Sequence, residues 1–526
     1  MANQKALPCD ELTIRSSAVV PACAAAKSWV LAVAVLGSTL AFVDESVVNV
    51  ALPAIETDLR TTLPAMQWVI NAYTLCMSAL LLIGGAAADR FGRRRMFVIG
   101  VSVFAVASLG CGLATSVAML LAARTVSGVG AALLVPCALA LIGSAYDEKE
   151  RGAAIGIWSG ASAIAAGAAP LLGGGLLDHW SWRVIFLINP LLAIPTLWIT
   201  LWRVPESRDP SAPAGIDWAG SLFAFAGLGS LVYGLIASSD SGWSHPAVIA
   251  SLAAGAGLLV LFLLVESRSR APMMPLALFR SRTFSGVNLL TLLLYGALGG
   301  GFFLLPFLLI QARGYSATAA GAAYLPFTVV LGALSRWSGG LIDRFGARGP
   351  LILGPAIAAG GFALLAMSHG PYWTILAPMT VLGFGMAITV APLTTAVLNA
   401  VPAHQTGVAS GINNAVASVG SLLVIAVLGS FAVGSLSRSL EQHLDDATAS
   451  PEVRSAVEAA RGGFVIPPLP ASLSETERRS AHAIIADSID GTVRMTLWIA
   501  TGLTLVSVLS AVLTIPRSER GAKHVP

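Results

Sequence analysis

The sequence predicts an all-α polytopic membrane protein of 14 transmembrane helices, with two pseudo-symmetric six-helix bundles and two further helices inserted between them. Three observations predict it. The 526 residues are 56% hydrophobic and only 11% charged, a balance that soluble domains of this length do not show. Uncharged runs of about 20 residues, enough to cross ~30 Å of hydrocarbon, recur along the whole chain. A tight basic loop, Gly85-Ala86-Ala87-Ala88-Asp89-Arg90-Phe91-Gly92-Arg93-Arg94-Arg95, returns 254 positions later as Gly339-Gly340-Leu341-Ile342-Asp343-Arg344-Phe345-Gly346.

In order, the first six spans fall near 28–53, 66–88, 96–115, 117–142, 153–177 and 183–202. Two more lie near 217–238 and 247–265, and a last six near 284–311, 318–342, 350–368, 373–399, 408–433 and 492–515. They divide the chain into a tail 1–27, a first bundle 28–203, an insert 204–283 with its linkers, a second bundle 284–516 and a tail 517–526. An even count returns both termini to one side of the membrane.

Basic residues in short loops mark the cytoplasmic side. Arg90, Arg93, Arg94 and Arg95 share a side with Lys5, Arg15, Lys27, Lys149, Arg151, Arg203, Arg208, Arg280, Arg282, Arg344 and Arg348, whereas the short loops opposite hold Arg60, Arg183 and Arg313. Both termini are therefore expected in the cytoplasm. The first span follows a polar leader and carries acids, unlike a cleaved signal peptide. The polar stretch 435–490 falls outside, where long loops escape the charge rule. It reads as a solvated connector with helical stretches around Pro467-Pro468-Leu469-Pro470, a partner-docking element being the other reading.

The duplication extends beyond the loop. Gly128-Val129-Gly130 is matched by Gly383-Phe384-Gly385, and Gly152 by Gly407, each 255 positions on. Parallel repeats of this kind build a central site that opens alternately to either side. Cys9, Cys23, Cys76, Cys111 and Cys137 show no metal or redox spacing and read as small hydrophobes. No cofactor, no metal and no nucleic-acid partner is expected, and no Gly-x-x-x-x-Gly-Lys-Ser/Thr phosphate loop is present to couple ATP. The expected partners are a small-molecule substrate, protons and the bilayer, for a monomer that could work with accessory envelope proteins.

A carboxylate in mid-membrane costs about 2.5–3.5 kcal/mol on insertion scales and needs a reason to be there. Asp44 and Glu45 are two such residues. Counted from Lys27 at a rise of about 1.5 Å per residue, Asp44 lies two-thirds of the way across, at a depth similar to Arg124 in an oppositely running helix. An acid and a base can therefore meet, and a pairing that changes with conformation would couple proton affinity to access. A static ion pair is the other reading. Glu45 shares a stripe with Ser38 and Asn49, facing either a cavity or a polar helix contact.

These residues resemble the major facilitator superfamily, and within it the fourteen-helix drug:proton antiporter branch. Gly85-x-x-x-Asp89-Arg90-x-Gly92-Arg93-Arg94 is similar to the family's signature between its second and third helices. Val43-Asp44-Glu45-Ser46-Val47-Val48-Asn49-Val50-Ala51-Leu52-Pro53 resembles the acid-bearing first helix of that branch. Arg124 with Gly128, Gly130 and Pro136 resembles the fourth-helix arginine motif, and Pro170-Leu171-Leu172-Gly173-Gly174 part of the fifth-helix antiporter motif. Trp182 to Pro190 completes the run. Ala165 and Ala169 stand where that motif has glycine, and Glu45 where the family has a small or hydroxyl residue.

The resemblance implies a proton-coupled exporter of hydrophobic or cationic drugs by antiport, not an enzyme. In a bacterial cytoplasmic membrane, Asp44 would carry the proton with Arg124 as its modulator, and Pro170, Gly173 and Gly174 would form the hinge or antiporter motif; Glu45, a departure from the family, is a secondary candidate for the proton role on the residues alone. Gly85, Asp89, Arg90, Gly92, Arg93, Asp343 and Arg344 would form a cytoplasmic latch that turns sharply at its glycines and bridges helix ends. Orientation by charge alone is the other reading of those loops. Pocket candidates near mid-span are Trp68, Asn71, Tyr73, Tyr295, Phe303, Phe307, Gln311, Tyr324, Asn413 and Asn414, each equally explicable as packing. Dedicated export of a metabolite, siderophore or lipid intermediate stays open on the residues alone, as does a non-transporting receptor or scaffold.

Overall fold

Apolar runs of this length become helices because a bilayer core offers no water to satisfy backbone amides and carbonyls. In the computed structural model the described residues are 24–208, 217–269, 272–338, 340–402, 405–446, 450–461, 463–470 and 472–516. The tail 517–526 and most of the tail 1–27 lie outside them. Among the described residues, fourteen helices are long and apolar enough to span a membrane.

The first bundle consists of α1 (Ala24–Asp58), α2 (Leu63–Phe91), α3 (Arg93–Gly112), α4 (Val117–Ala145), α5 (Glu148–His179) and α6 (Trp182–Arg203). The inserted pair, α7 (Trp218–Ser241) and α8 (Pro246–Arg268), packs against itself, with α7 also touching α2. The second bundle opens with α9 (Arg282–Phe307), which runs into a π-helical turn at Leu308–Ala312 just past Pro306. The span expected at 318–342 is broken into α10 (Ala317–Ala322) and α11 (Leu325–Ser338), followed by the short α12 (Leu341–Phe345). Next come α13 (Arg348–Met367), α14 (Trp373–Asn399), α15 (Thr406–Asp446), α16 (Pro451–Glu458) and α17 (Glu475–Thr514).

Helix starts follow the sequence's hydroxyls. Ser116, Ser181 and Ser281 each accept a hydrogen bond from the backbone amide of the second or third residue of the following helix, and Ser474 with Glu477 forms a full capping box at α17.

The duplication is visible in the packing. In the first bundle, Gly128 of α4 lies against the backbone carbonyl of Tyr73 in α2, and a Cβ on Gly130 would sit 2.7 Å from the amide nitrogen of Phe104 in α3. Their counterparts do the same in the second bundle, Gly383 of α14 against the Phe327 carbonyl of α11 and Gly385 against the Ala358 amide of α13. Absent side chains let these backbones touch, the means by which helices associate where lipid gives no hydrophobic drive.

The bundles meet at the face opposite the basic loops and part at the basic face. Toward the opposite face, α5 packs on α10 and α11 and α1 on α9, whereas α2 lies along α15 from Gln67 beside Gly429 to Leu82 beside Gly411. Toward the basic face, Gly152, Gly156 and Gly160 of α5 have open space beside them, and Val329 of α11 and Ile164 of α5 are 63% and 73% exposed. The stretch 435–490 is no simple connector: α15 and α17 extend far into it, and Val453, Val457 and Phe464 are buried.

Candidate transport site

Successive helical residues diverge by about 100°, so the two adjacent acids of α1 face different surroundings. Asp44 points into the first bundle and is 1% exposed, as is Arg124 of α4. The two form an ion pair: the Arg124 guanidinium donates to Asp44 Oδ2, while its Nε donates to the Val69 carbonyl at 3.0 Å. Tyr73 lies under the guanidinium at 4.4 Å, and Phe186 approaches at 5.9 Å. The other carboxylate oxygen, Asp44 Oδ1, accepts from Asn189 Nδ2 at 2.9 Å, and that amide also reaches Ser108 Oγ at 3.2 Å. Two charges out of water need this full a complement of partners.

Glu45 differs. Its side chain is exposed. Its carboxylate makes no hydrogen bond or ion pair among the described residues, while its backbone carbonyl accepts from Asn49 Nδ2 at 3.3 Å. On the same stripe, Ser38 Oγ accepts from Trp158 Nε1 of α5 at 2.9 Å.

The pocket candidates mostly serve packing, since bundle interiors need large side chains. Phe303 and Phe307 are fully buried. Tyr324 donates to the Phe302 carbonyl at 3.1 Å and stacks edge-on to that ring. Tyr73 lies under the ion pair, and Trp68 packs against the apolar cluster that Leu75 of α2 forms with Leu228 and Val232 of α7 and Leu422 and Ala426 of α15. Asn413 donates to Asn288 Oδ1 and Thr291 Oγ1, Gln311 accepts from the Ile466 amide, and Tyr295 is half-buried. Asn414 is exposed, whereas Asn71 is buried with neither amide atom hydrogen-bonded among the described residues.

The fifth-helix motif makes the closure between bundles. Gly174 lies against the Ala317 carbonyl, Gly321 against the Pro170 carbonyl and Gly173 against the Val47 side chain. One turn beyond, the Asp178 carboxylate accepts the amides of Ala317 at 3.0 Å and Thr318 at 2.8 Å, capping α10 across the seam. Ala169 is fully buried in the same packing.

At the basic face Asp89 pairs with Arg93 four residues on, at 2.8 Å, within its own loop. Gly92 takes φ 113°, a value that suits glycine, and Gly85 is half-buried. Arg90 lies 5.5 Å from the Phe91 ring. The start of α3 is held by Glu206, whose two oxygens accept the amides of Arg94 at 3.0 Å and Arg95 at 3.1 Å. In the repeated loop Arg344 is exposed, and the Asp343 side chain lies outside the described residues.

Asn189, Asp178 and Glu206 escape sequence reasoning because each acts across a contact between segments distant in sequence. Asn189, inside the quoted run ending at Pro190, carries the plainest signal, a polar side chain in mid-span.

The sequence model of the Major Facilitator Superfamily matches residues 34–425. The chain belongs to that superfamily. The multidrug resistance protein Stp of Mycobacterium tuberculosis is 35% identical over 498 residues, 93% of this chain and 92% of that protein. A tetracenomycin C resistance and export protein of Streptomyces glaucescens is 35% identical over 76% of this chain and 74% of its own length. The puromycin resistance protein pur8 of Streptomyces alboniger is 35% identical over 79% and 84%. Among solved structures, a bacterial homologue of the human lysosomal transporter Spinster superposes with a TM-score of 0.65 at 20% identity, covering 95% of this chain and all of that one.

Proposed function

We propose that this superfamily member exports hydrophobic, often cationic compounds in exchange for protons, with the basic loops and both termini in the cytoplasm. The observation that carries the reading is the pair of neighbouring acids with opposite surroundings: Asp44 sealed against Arg124 and Asn189, and Glu45 exposed with no hydrogen bond to its carboxylate among the described residues. The names of the resistance and export relatives support it.

In the proposed cycle the cavity opens to the cytoplasm with Asp44 bound to Arg124, and cargo settles beside Glu45 as its proton leaves. Closure of the basic face and opening of the other would admit an outside proton to Glu45 and weaken the hold on a cationic cargo. Asp44 and Arg124 would set the carboxylate chemistry next door, changing their pairing as α1 and α4 shift. The Asp89 and Asp343 loops would latch the state opposite to this one, when the basic ends of the bundles come together.

One proton suffices. A potential near 100 mV contributes about 2.3 kcal/mol per charge, and one pH unit about 1.4 kcal/mol. For a neutral cargo the two together support a gradient of several hundred-fold, at tenfold per about 1.4 kcal/mol; for a monovalent cation such as ethidium the exchange is electroneutral, the potential cancels, and one pH unit supports about tenfold. The test is ethidium transport in proteoliposomes under an imposed pH gradient. The wild type should accumulate dye against its gradient, and Glu45→Gln should retain only passive exchange; gradient-driven uptake in Glu45→Gln would remove Glu45 from the coupling role.

A further inference from the structure

Glu56 lies two residues from the end of α1, and no step above uses it. It is 3% exposed, and its Oε1 accepts the amide of Phe464 at 3.0 Å, with the Val465 amide alongside. Its Oε2 has no partner among the described residues. A buried carboxylate that spends one oxygen on another segment's backbone and leaves the other bare is a poor device for holding a fold.

The segment it holds bridges the bundles. Phe464, between α16 and α17, is fully buried and meets Phe307 edge-on at 6.0 Å. Two residues on, the Ile466 amide donates to Gln311 Oε1 at 3.2 Å. Glu56 belongs to the first bundle, Phe307 and Gln311 to the second, so residues 463–469 lie as a strap over the seam at its closed end. Gly463 permits the fit, because a Cβ there would collide with Glu56 Oε1.

We infer that Glu56 is the positioning residue of an outer gate, and that this face opens when the strap lets go of Glu56. The inference rests on the alternating-access reading above. If the bundles separate there, Glu56 moves away from Phe307 and Gln311, and the strap must abandon one side. It is covalently continuous with the second bundle through α17 and anchored there by an aromatic contact and a hydrogen bond. Its tie to the first bundle is the Phe464 amide on the Glu56 carboxylate, and that tie yields.

The test places a single cysteine at Ile310, which lines the outer cleft beside Gln311 and Asp178, in a full-length chain whose native cysteines are replaced by alanine. A membrane-impermeant maleimide is added to that face of the reconstituted protein, without cargo or gradient. Glu56→Ala and Gly463→Ala should each raise the labelling rate at least fivefold, and Glu56→Gln, which keeps one acceptor, less than twofold. Unchanged labelling in both Glu56→Ala and Gly463→Ala overturns the gate, because a merely structural contact would lower thermal stability and leave labelling alone. Should Glu56→Ala aggregate, Gly463→Ala decides by itself. As labelling requires no proton coupling, failure of antiport leaves this result standing, and intact antiport with unchanged labelling overturns the gate alone.

Discussion

Replacing Arg124 with methionine keeps most of the side chain's volume and removes its charge, so the loss is electrostatic. Asp44 would be left 1% exposed with the Asn189 hydrogen bond at 2.9 Å and no counter-charge. The Val69 carbonyl would lose its donor at 3.0 Å and the Tyr73 ring the cation at 4.4 Å. Breaking a buried pair from one side costs about 3–5 kcal/mol. At roughly 2–4 °C per kcal/mol for a cooperative unit of 150–250 residues, thermal unfolding in detergent should fall by about 6–20 °C. Asp44→Asn added to Arg124→Met removes the orphaned charge and should restore at least about 2 kcal/mol, a coupling available only to residues in contact. A double variant no more stable than Arg124→Met alone would refute the pair as the source of the loss.

Two further predictions follow from close contacts. Gly174→Val forces a side chain onto the Ala317 carbonyl and should penalise this closed face by about 1–3 kcal/mol, shifting the equilibrium between states about 5- to 150-fold, read as faster thiol labelling at the closed face. Glu206→Ala frees the Arg94 and Arg95 amides and should cost about 1 kcal/mol at the start of α3, seen as faster hydrogen exchange there with global stability little changed.

The number of spans, the duplication and the meeting of Asp44 with Arg124 are legible in the sequence, because each rests on periodicity or on depth in a known thickness. Gly128 and Gly383 are recognisable for the same reason: backbone contact leaves no room for a side chain. What each acid faces is not legible. Asp44 and Glu45 are neighbours in the chain, and only the packing of α4 and α6 decides that one is enclosed and the other bare. Aromatic residues mislead in the opposite direction, as Phe303, Phe307 and Tyr324 sit at cavity depth and fill the second bundle's interior. The strap is the least visible element, since Phe464 docks through a backbone amide and any residue type supplies one.

The central claim is that cargo and proton exchange at one internal acid, and the direct measurement is proton release when substrate is added to purified protein in weak buffer. The account predicts proton release from the wild type on substrate addition, and none from Glu45→Gln that still binds substrate. Substrate binding with no proton release from the wild type at any pH would contradict it.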